Sequence, residues 1–156
     1  NKKLPGIISI QSGYTGGDLQ NPTYENHAGH KEGVEVTFDP AVISYAQLLD
    51  IFWHNVDPLD GDGQFCDRGF PYTSAIFYEN DAQKTAAEAS KDSVVKQLGQ
   101  EVKTELIKAK EFHRAEEYHQ DYHIKNPVRY KFYRWNCGRD QRLKAVWGKS
   151  PHEVAP

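Results

Sequence analysis

The chain has 156 residues, 38% of them hydrophobic and 26% charged, with a formal net charge of −3. That length suits one domain with its own core, and that charge balance gives no electrostatic reason to expect nucleic acid or an anionic membrane as partner. No apolar run approaches the roughly 20 residues of a membrane span and no signal peptide is visible, so a cytoplasmic protein is expected; a monomer is the separate expectation for its assembly.

In chain order, "GIISIQS" (6–12) reads as a short apolar strand, followed by a long loop rich in Gly, Pro and Asn, "SGYTGGDLQNPTYENHAG". "GVEVTFD" alternates apolar and polar residues and reads as a second strand. "SYAQLLDIFWHN" is a helix: Tyr45, Leu48, Leu49, Phe52 and Trp53 form one stripe, Ser44 is an N-cap and Pro58 lies beyond the end. A second long polar loop, 57–72, precedes a strand in "TSAIFYE". A helix stopped by Gly99 follows, then a strand in "EVKTELIK", a short helix in "RAEEYHQDYHIKN" and a last helix in "GRDQRLKAVWG". The expected fold is α+β: a two-layer sandwich with a mixed sheet and packed helices around a ferredoxin-like core. One domain covers 1–148 and a tail covers 149–156. The two loops are unusually long for a compact domain, and long ordered loops are where function sits.

Glu32 is the sharpest candidate for chemistry. It shares strand parity with Val34, Val36 and Phe38, so a strand reaching back to it places a carboxylate on the apolar face. Burial disfavours the charged form, and a carboxyl kept protonated near neutral pH can donate a proton. If the strand begins at Val34 instead, Glu32 is a solvated loop residue. Tyr24, closing "NPTY", and Tyr72, just before "TSAIFY", are phenols at loop–strand junctions that can hydrogen-bond a bound polar group while covering it. The bland alternative is a structural tyrosine. Asp67 sits beside Arg68 in "GQFCDRG", where turn chemistry is the alternative.

His119 and His123 lie four apart and share a helix face, which suits a metal, but Gln120 stands where the zinc-peptidase pattern needs Glu. A polar helix face is the plainer reading. Cys66 and Cys137 show no CxxC spacing and are too few for a disulfide scaffold, so they are expected as reduced thiols without a role of their own.

Taken together the motifs "PGIIS", "SGYTGG", "NPTY", "GHKE" with "VEVTFDP", "ISYAQLLDIFWHNVDP", "DGQFCDRG", "SAIFY", "AEEYHQDY" and "RYKFYR…GRD" resemble the A-type peptide methionine sulfoxide reductases. They run in family order from residue 5 to about 148. The resemblance implies reduction of methionine-S-sulfoxide, free or in proteins, with no metal or organic cofactor. A Cys thiolate attacks the sulfoxide sulfur and becomes a sulfenic acid. It further implies Glu32 as the acid that protonates the oxygen, Tyr24 and Tyr72 as the phenols that hold that oxygen, and Asp67 as the aspartate near the nucleophile. Thioredoxin is the implied reductant.

Three departures accompany the resemblance. The family nucleophile stands in a "GCFW" motif upstream of "PGIIS", and the sequence, opening at "NKKLPGIIS", does not include that motif or the strand before it. "PYTS" replaces the usual Gln-Tyr-Arg-Ser, with a shorter gap from Tyr24 to Glu32. "GHKE" carries Lys31 where Ala is usual, which is expected to set a cation beside the acid. Cys66 and Cys137 are then the recycling thiols within the sequence. The alternative function, from another class, is a module that binds oxidised methionine without reducing it. A metal-dependent hydrolase built on His119 and His123 is a third.

Overall fold

A long antiparallel ribbon carries the site. In the computed structural model the described residues are 5–116 and 137–148. In chain order the elements are β1 (Ile7–Thr15), β2 (Lys31–Phe38), α1 (Tyr45–His54), β3 (Gly63–Gln64), β4 (Asp67–Arg68), a 3-10 turn (Phe70–Tyr72), β5 (Ala75–Tyr78), α2 (Asp81–Leu98), β6 (Glu105–Lys108), β7 (Phe112–Arg114) and α3 (Arg139–Trp147). β1 pairs antiparallel with β2 on one side and β7 on the other. β3 and β4 form a small antiparallel hairpin, and β5 and β6 pair in parallel. The class is α+β, as expected, with both strand senses present but in separate hydrogen-bonded groups.

The helices begin and end where local chemistry says they should. Ser44 accepts from the Gln47 amide and the Gln47 side chain accepts from the Ser44 amide, a capping box closed by Gln. Asn80 accepts from the Gln83 amide at the start of α2, and Gly99 ends it in the left-handed conformation, φ 65°. β5, α2 and β6 make a βαβ unit: parallel strands need a long crossover, and α2 supplies it.

The core lies where the three helices meet the β5–β6 pair. Leu49 and Trp53 of α1, Ile76 of β5, Ala87 and Val94 of α2, Val102, and Leu143 and Trp147 of α3 form one buried cluster. Burying a large side chain of this kind stabilises the fold by about 1.5–3 kcal/mol. The polar edge of each indole is satisfied. Trp53 Nε1 donates to Ser90 on α2 at 3.0 Å, and Trp147 Nε1 donates to the Val56 carbonyl at 3.1 Å. α3 is fastened further by Arg139, whose Nη1 donates to the Asn55 carbonyl at 2.9 Å, and by Arg142, whose Nε donates to buried Asp57 at 2.7 Å.

Two features differ from the reading of the sequence. β7 occupies "FHR", three residues too few to show periodicity, and takes Arg114 out of the expected helix. Ala115 and Glu116 follow without regular structure, and the remainder of that helix lies outside the described residues. The ribbon also inverts the usual order of burial. Ile8, Ile10 and Val34 are 66%, 54% and 62% exposed, while Tyr14, Thr15 and Lys31 at its other end are 2%, 6% and 3% exposed.

Candidate active site

β2 begins at Lys31, so Glu32 lies inside the strand, cross-strand from Tyr14 of β1, which is itself opposite His113 of β7. Alternation puts Glu32 on the face of Val34 and Val36. That face is open at Val34 and covered at Glu32. The Glu32 side chain is 28% exposed, yet its Oε2 is sealed from solvent and receives no hydrogen bond from the described residues. An oxygen withheld from water without a hydrogen bond carries a desolvation cost of about 1–3 kcal/mol.

Tyr72 closes the 3-10 turn and reaches the same place. Burial pushes its hydroxyl well above the usual phenol value, a hydrogen bond with Glu32 adds to this, and the charges of Glu32, Tyr24 and Asp67 push further the same way. Tyr72 is therefore held as a neutral donor. The same set of influences brings all four sequence-derived residues, Glu32, Tyr24, Tyr72 and Asp67, into one electrostatic neighbourhood. Tyr24 is 45% exposed, at the rim.

The loops that carry these groups are fixed by polar staples. His30 is fully buried: its Nδ1 accepts from the Gly17 amide at 3.2 Å and its Nε2 donates to the Leu19 carbonyl at 2.8 Å. That pattern requires the neutral tautomer with hydrogen on Nε2, and it ties the loop after β1 to the start of β2. Glu116 holds the same loop from below, accepting the Tyr14 hydroxyl on one oxygen and the Tyr24 amide on the other, each at 3.2 Å. In the second loop Gln64 exchanges two 2.8 Å hydrogen bonds with the Asp57 backbone, and Arg68 forks onto Asp60 at 2.5 and 3.0 Å. Gly63 is required there: a Cβ would stand 2.2 Å from the Asp67 carbonyl oxygen.

Lys31 does not stand beside the acid. Neighbouring strand residues face opposite ways, and Lys31 points to the other face with Thr15. Its ammonium donates to the Thr73 hydroxyl, lies 4.2 Å from the centre of the Phe70 ring and 3.8 Å from Glu105. Burial pulls its pKa below the usual lysine value, partly offset by Glu105. The 3-10 turn thus straddles the edge of β2, with Tyr72 meeting Glu32 on one face and Phe70 and Thr73 meeting Lys31 on the other.

The two cysteines are not free thiols. Cys66 and Cys137 form a disulfide, with Cα atoms 5.2 Å apart. They are 71 positions apart in sequence, so no short spacing announces them; docking of α3 brings them together. Cys66 is exposed, and the bridge lines an open cleft of about 860 Å³ with Asp57, Asp60, Lys103 and Arg142.

Comparison with known proteins decides the family. The family model for peptide methionine sulfoxide reductase matches residues 1–151. The chain belongs to that family. The peptide methionine sulfoxide reductase MsrA of Bacillus licheniformis is 48% identical over 159 aligned residues, covering 96% of this chain and 86% of that protein. Its counterpart in Bacillus subtilis is 46% identical, covering 92% and 85%. Among solved structures, reduced Mxr1 from Saccharomyces cerevisiae superposes with TM-score 0.73 at 30% identity, covering 78% of this chain and 73% of that one. Methionine sulfoxide reductase A of Corynebacterium diphtheriae gives 0.68 at 29%, covering 80% and 66%.

For a methionine sulfoxide reductase the site contains two residues that motif reading passed over. His27 lies between Tyr24 and Glu32, its ring stacked on Tyr14 at 4.8 Å and its Nε2 3.4 Å from Glu32 Oε2. Glu116 anchors Tyr14 and Tyr24. Neither has a sequence signal of its own; the acid in "AEEYH" and the His in "ENHAGH" acquire meaning only through cross-strand register. His119 and His123 lie outside the described residues. Among the described residues no three potential metal ligands cluster, and no helix is long and apolar enough to cross a membrane.

Proposed function

We propose that this reductase converts methionine-S-sulfoxide, free or in proteins, to methionine with Glu32 as the proton donor, Tyr24 and Tyr72 as the phenols that hold the sulfoxide oxygen, and Asp67 as a flanking acid. The observation that carries it is the sealed Glu32 Oε2, without a hydrogen bond from the described residues, beside the neutral Tyr72 hydroxyl. The enzyme's nucleophilic thiolate attacks the sulfoxide sulfur, the S–O bond breaks, the oxygen takes a proton from Glu32 and passes to the thiol sulfur, and methionine leaves. The product sulfenic acid condenses with a thiol of the Cys66–Cys137 pair and releases water. Exchange then closes the bridge between them, and a thioredoxin-type dithiol entering from the exposed Cys66 side reopens it. A catalytic disulfide of this kind is compatible with a reducing compartment. The family relationship does not favour a module that binds oxidised methionine without reducing it.

The test is Glu32→Gln in the full-length protein. Gln keeps the shape and one donor group but has no acidic proton. Methionine formation in a single turnover should fall roughly 100-fold or more, with substrate binding little changed. A rate within a few-fold of wild type would remove Glu32 from the role.

A further inference from the structure

Outside the four residues already assigned, three features stand out: the cleft at the disulfide, the buried Lys31, and the His27 ring. The cleft belongs to the recycling step and Lys31 fastens the turn of Tyr72. His27 is the one whose geometry the proposed reaction does not yet use.

The His27 side chain is 11% exposed and held on three sides. Its ring stacks on Tyr14 with an interplanar angle of 13°, and Tyr24 lies 6.4 Å away, tilted. Its Nδ1 is 2.9 Å from the Thr23 carbonyl. A carbonyl only accepts, so Nδ1 carries a hydrogen. Nε2 then faces Glu32 Oε2 at 3.4 Å, either as a bare lone pair or as a second N–H. A lone pair against an ionised carboxylate is repulsive. The pair is favourable only when it holds one proton more, as imidazole with carboxylic acid or as imidazolium with carboxylate. Among the described residues the titratable groups around it are Tyr14 and Tyr24, Tyr72 and Asp67, and, beyond Tyr14, Glu116 and His113.

We propose that His27 is a positioning residue that stores and returns the proton Glu32 delivers, so that the two side chains act as one proton-holding unit. This rests on Glu32 being the acid. In each cycle Glu32 gives its proton to the sulfoxide oxygen as the S–O bond breaks. That leaves neutral imidazole facing carboxylate; the ring takes a proton from water on Nε2, and the imidazolium so formed passes it to Oε2. No oxidant or reductant beyond the reaction's own thiol is involved. Tyr14 and the Thr23 carbonyl fix the ring so that only Nε2 can serve.

The experiment uses the full-length enzyme in single turnovers from about pH 5.5 to about pH 9, a range that brackets ordinary histidine titration. His27→Phe keeps the stack on Tyr14 and removes the proton. Methionine formation should slow about 10-fold or more above roughly pH 7.5 and converge on wild type at the acid end, where water protonates Glu32 directly, while KM stays within about twofold. In parallel, nitrogen NMR of wild type should find the Nδ1–H form of His27 at high pH, and Glu32→Gln should shift that ring's titration. A pH profile for His27→Phe parallel to wild type overturns the inference, as does an Nε2–H tautomer or a titration indifferent to Glu32→Gln. If instead Glu32→Gln itself forms methionine at the wild-type rate, the Glu32 assignment falls first, and the NMR coupling still reports on the pair.

Discussion

The two ends of the β1–β2 ribbon are built from the same alternation and end up opposite. At one end Ile10 and Val34, apolar and strand-forming, stand more than half exposed. At the other Tyr14 and Lys31, both with polar tips, are almost fully buried. What separates them is cover. Loop residues close over the second end: His27 and Tyr24 from the first loop, Tyr72 and Phe70 from the second. Over the first end no described residue does so to the same degree. Periodicity decides which residues share a face; the loops decide whether that face is wet.

That contrast can be broken most strongly at the disulfide, which holds the second loop against α3. Closing a loop with a sequence separation of 71 constrains the unfolded chain, by the loop-entropy relation, by about 4 kcal/mol. Changing Cys66 and Cys137 together to Ser should lower the unfolding free energy by up to that amount in denaturant titrations. The same double change in the full-length enzyme should leave the first methionine-forming turnover intact and stop repeated turnover with thioredoxin. Unimpaired thioredoxin-driven cycling would take the pair out of the recycling path.

A direct comparison of the two ends comes next. Tyr14→Ala removes a buried ring, its stack with His27 and its hydroxyl on Glu116, and should cost about 3 kcal/mol or more. Ile10→Ala, at a position 54% exposed, should cost less than about 1 kcal/mol in the chain Asn1–Pro156. Equal costs in that chain would mean the two ends are equally covered.

The smallest effect is a pH dependence at the closed end. Burial lowers the pKa of Lys31 from its ordinary 10.5, so the folded state disfavours its charge. The penalty is complete below the folded value and fades as pH rises toward 10.5, which makes stability increase through that window. Tyr72 and Tyr45 act in the opposite sense: both are raised above 10.0, and the stability they contribute is present below that value and lost above it. Unfolding free energies measured from about pH 8 to about pH 10 should therefore climb in wild type and stay level in Lys31→Met. A slope unchanged by the substitution would show that Lys31 is not the group responsible.

Much of the site was legible because it depended on short-range pattern. The Ser44 N-cap, the Gly99 stop and the parity of Glu32 with Val34 are each written within a few residues. The four candidate residues came from motifs, and Glu32, Tyr24 and Asp67 all lie within electrostatic reach of Tyr72. The rest depended on distance along the chain. The pairing of Cys66 with Cys137 needs α3 to dock, and the meaning of Glu116 needs β7 to deliver it beneath Tyr14. His27 needs a strand register to set it against Glu32. Lys31 is different: alternation alone was enough to turn it away from Glu32, and the closeness of the two in sequence obscured that.

The turn that straddles β2 has an evolutionary consequence. Residues 31 and 32 are adjacent in the chain but serve different partners: Lys31 fastens Phe70 and Thr73, while Glu32 meets Tyr72 and His27. Because the two side chains lie on opposite faces, a change of the fastener at position 31 can leave the carboxyl at position 32 undisturbed. Adjacent codons on a strand edge can therefore drift under separate constraints, one for the hinge of the turn and one for the chemistry it closes over.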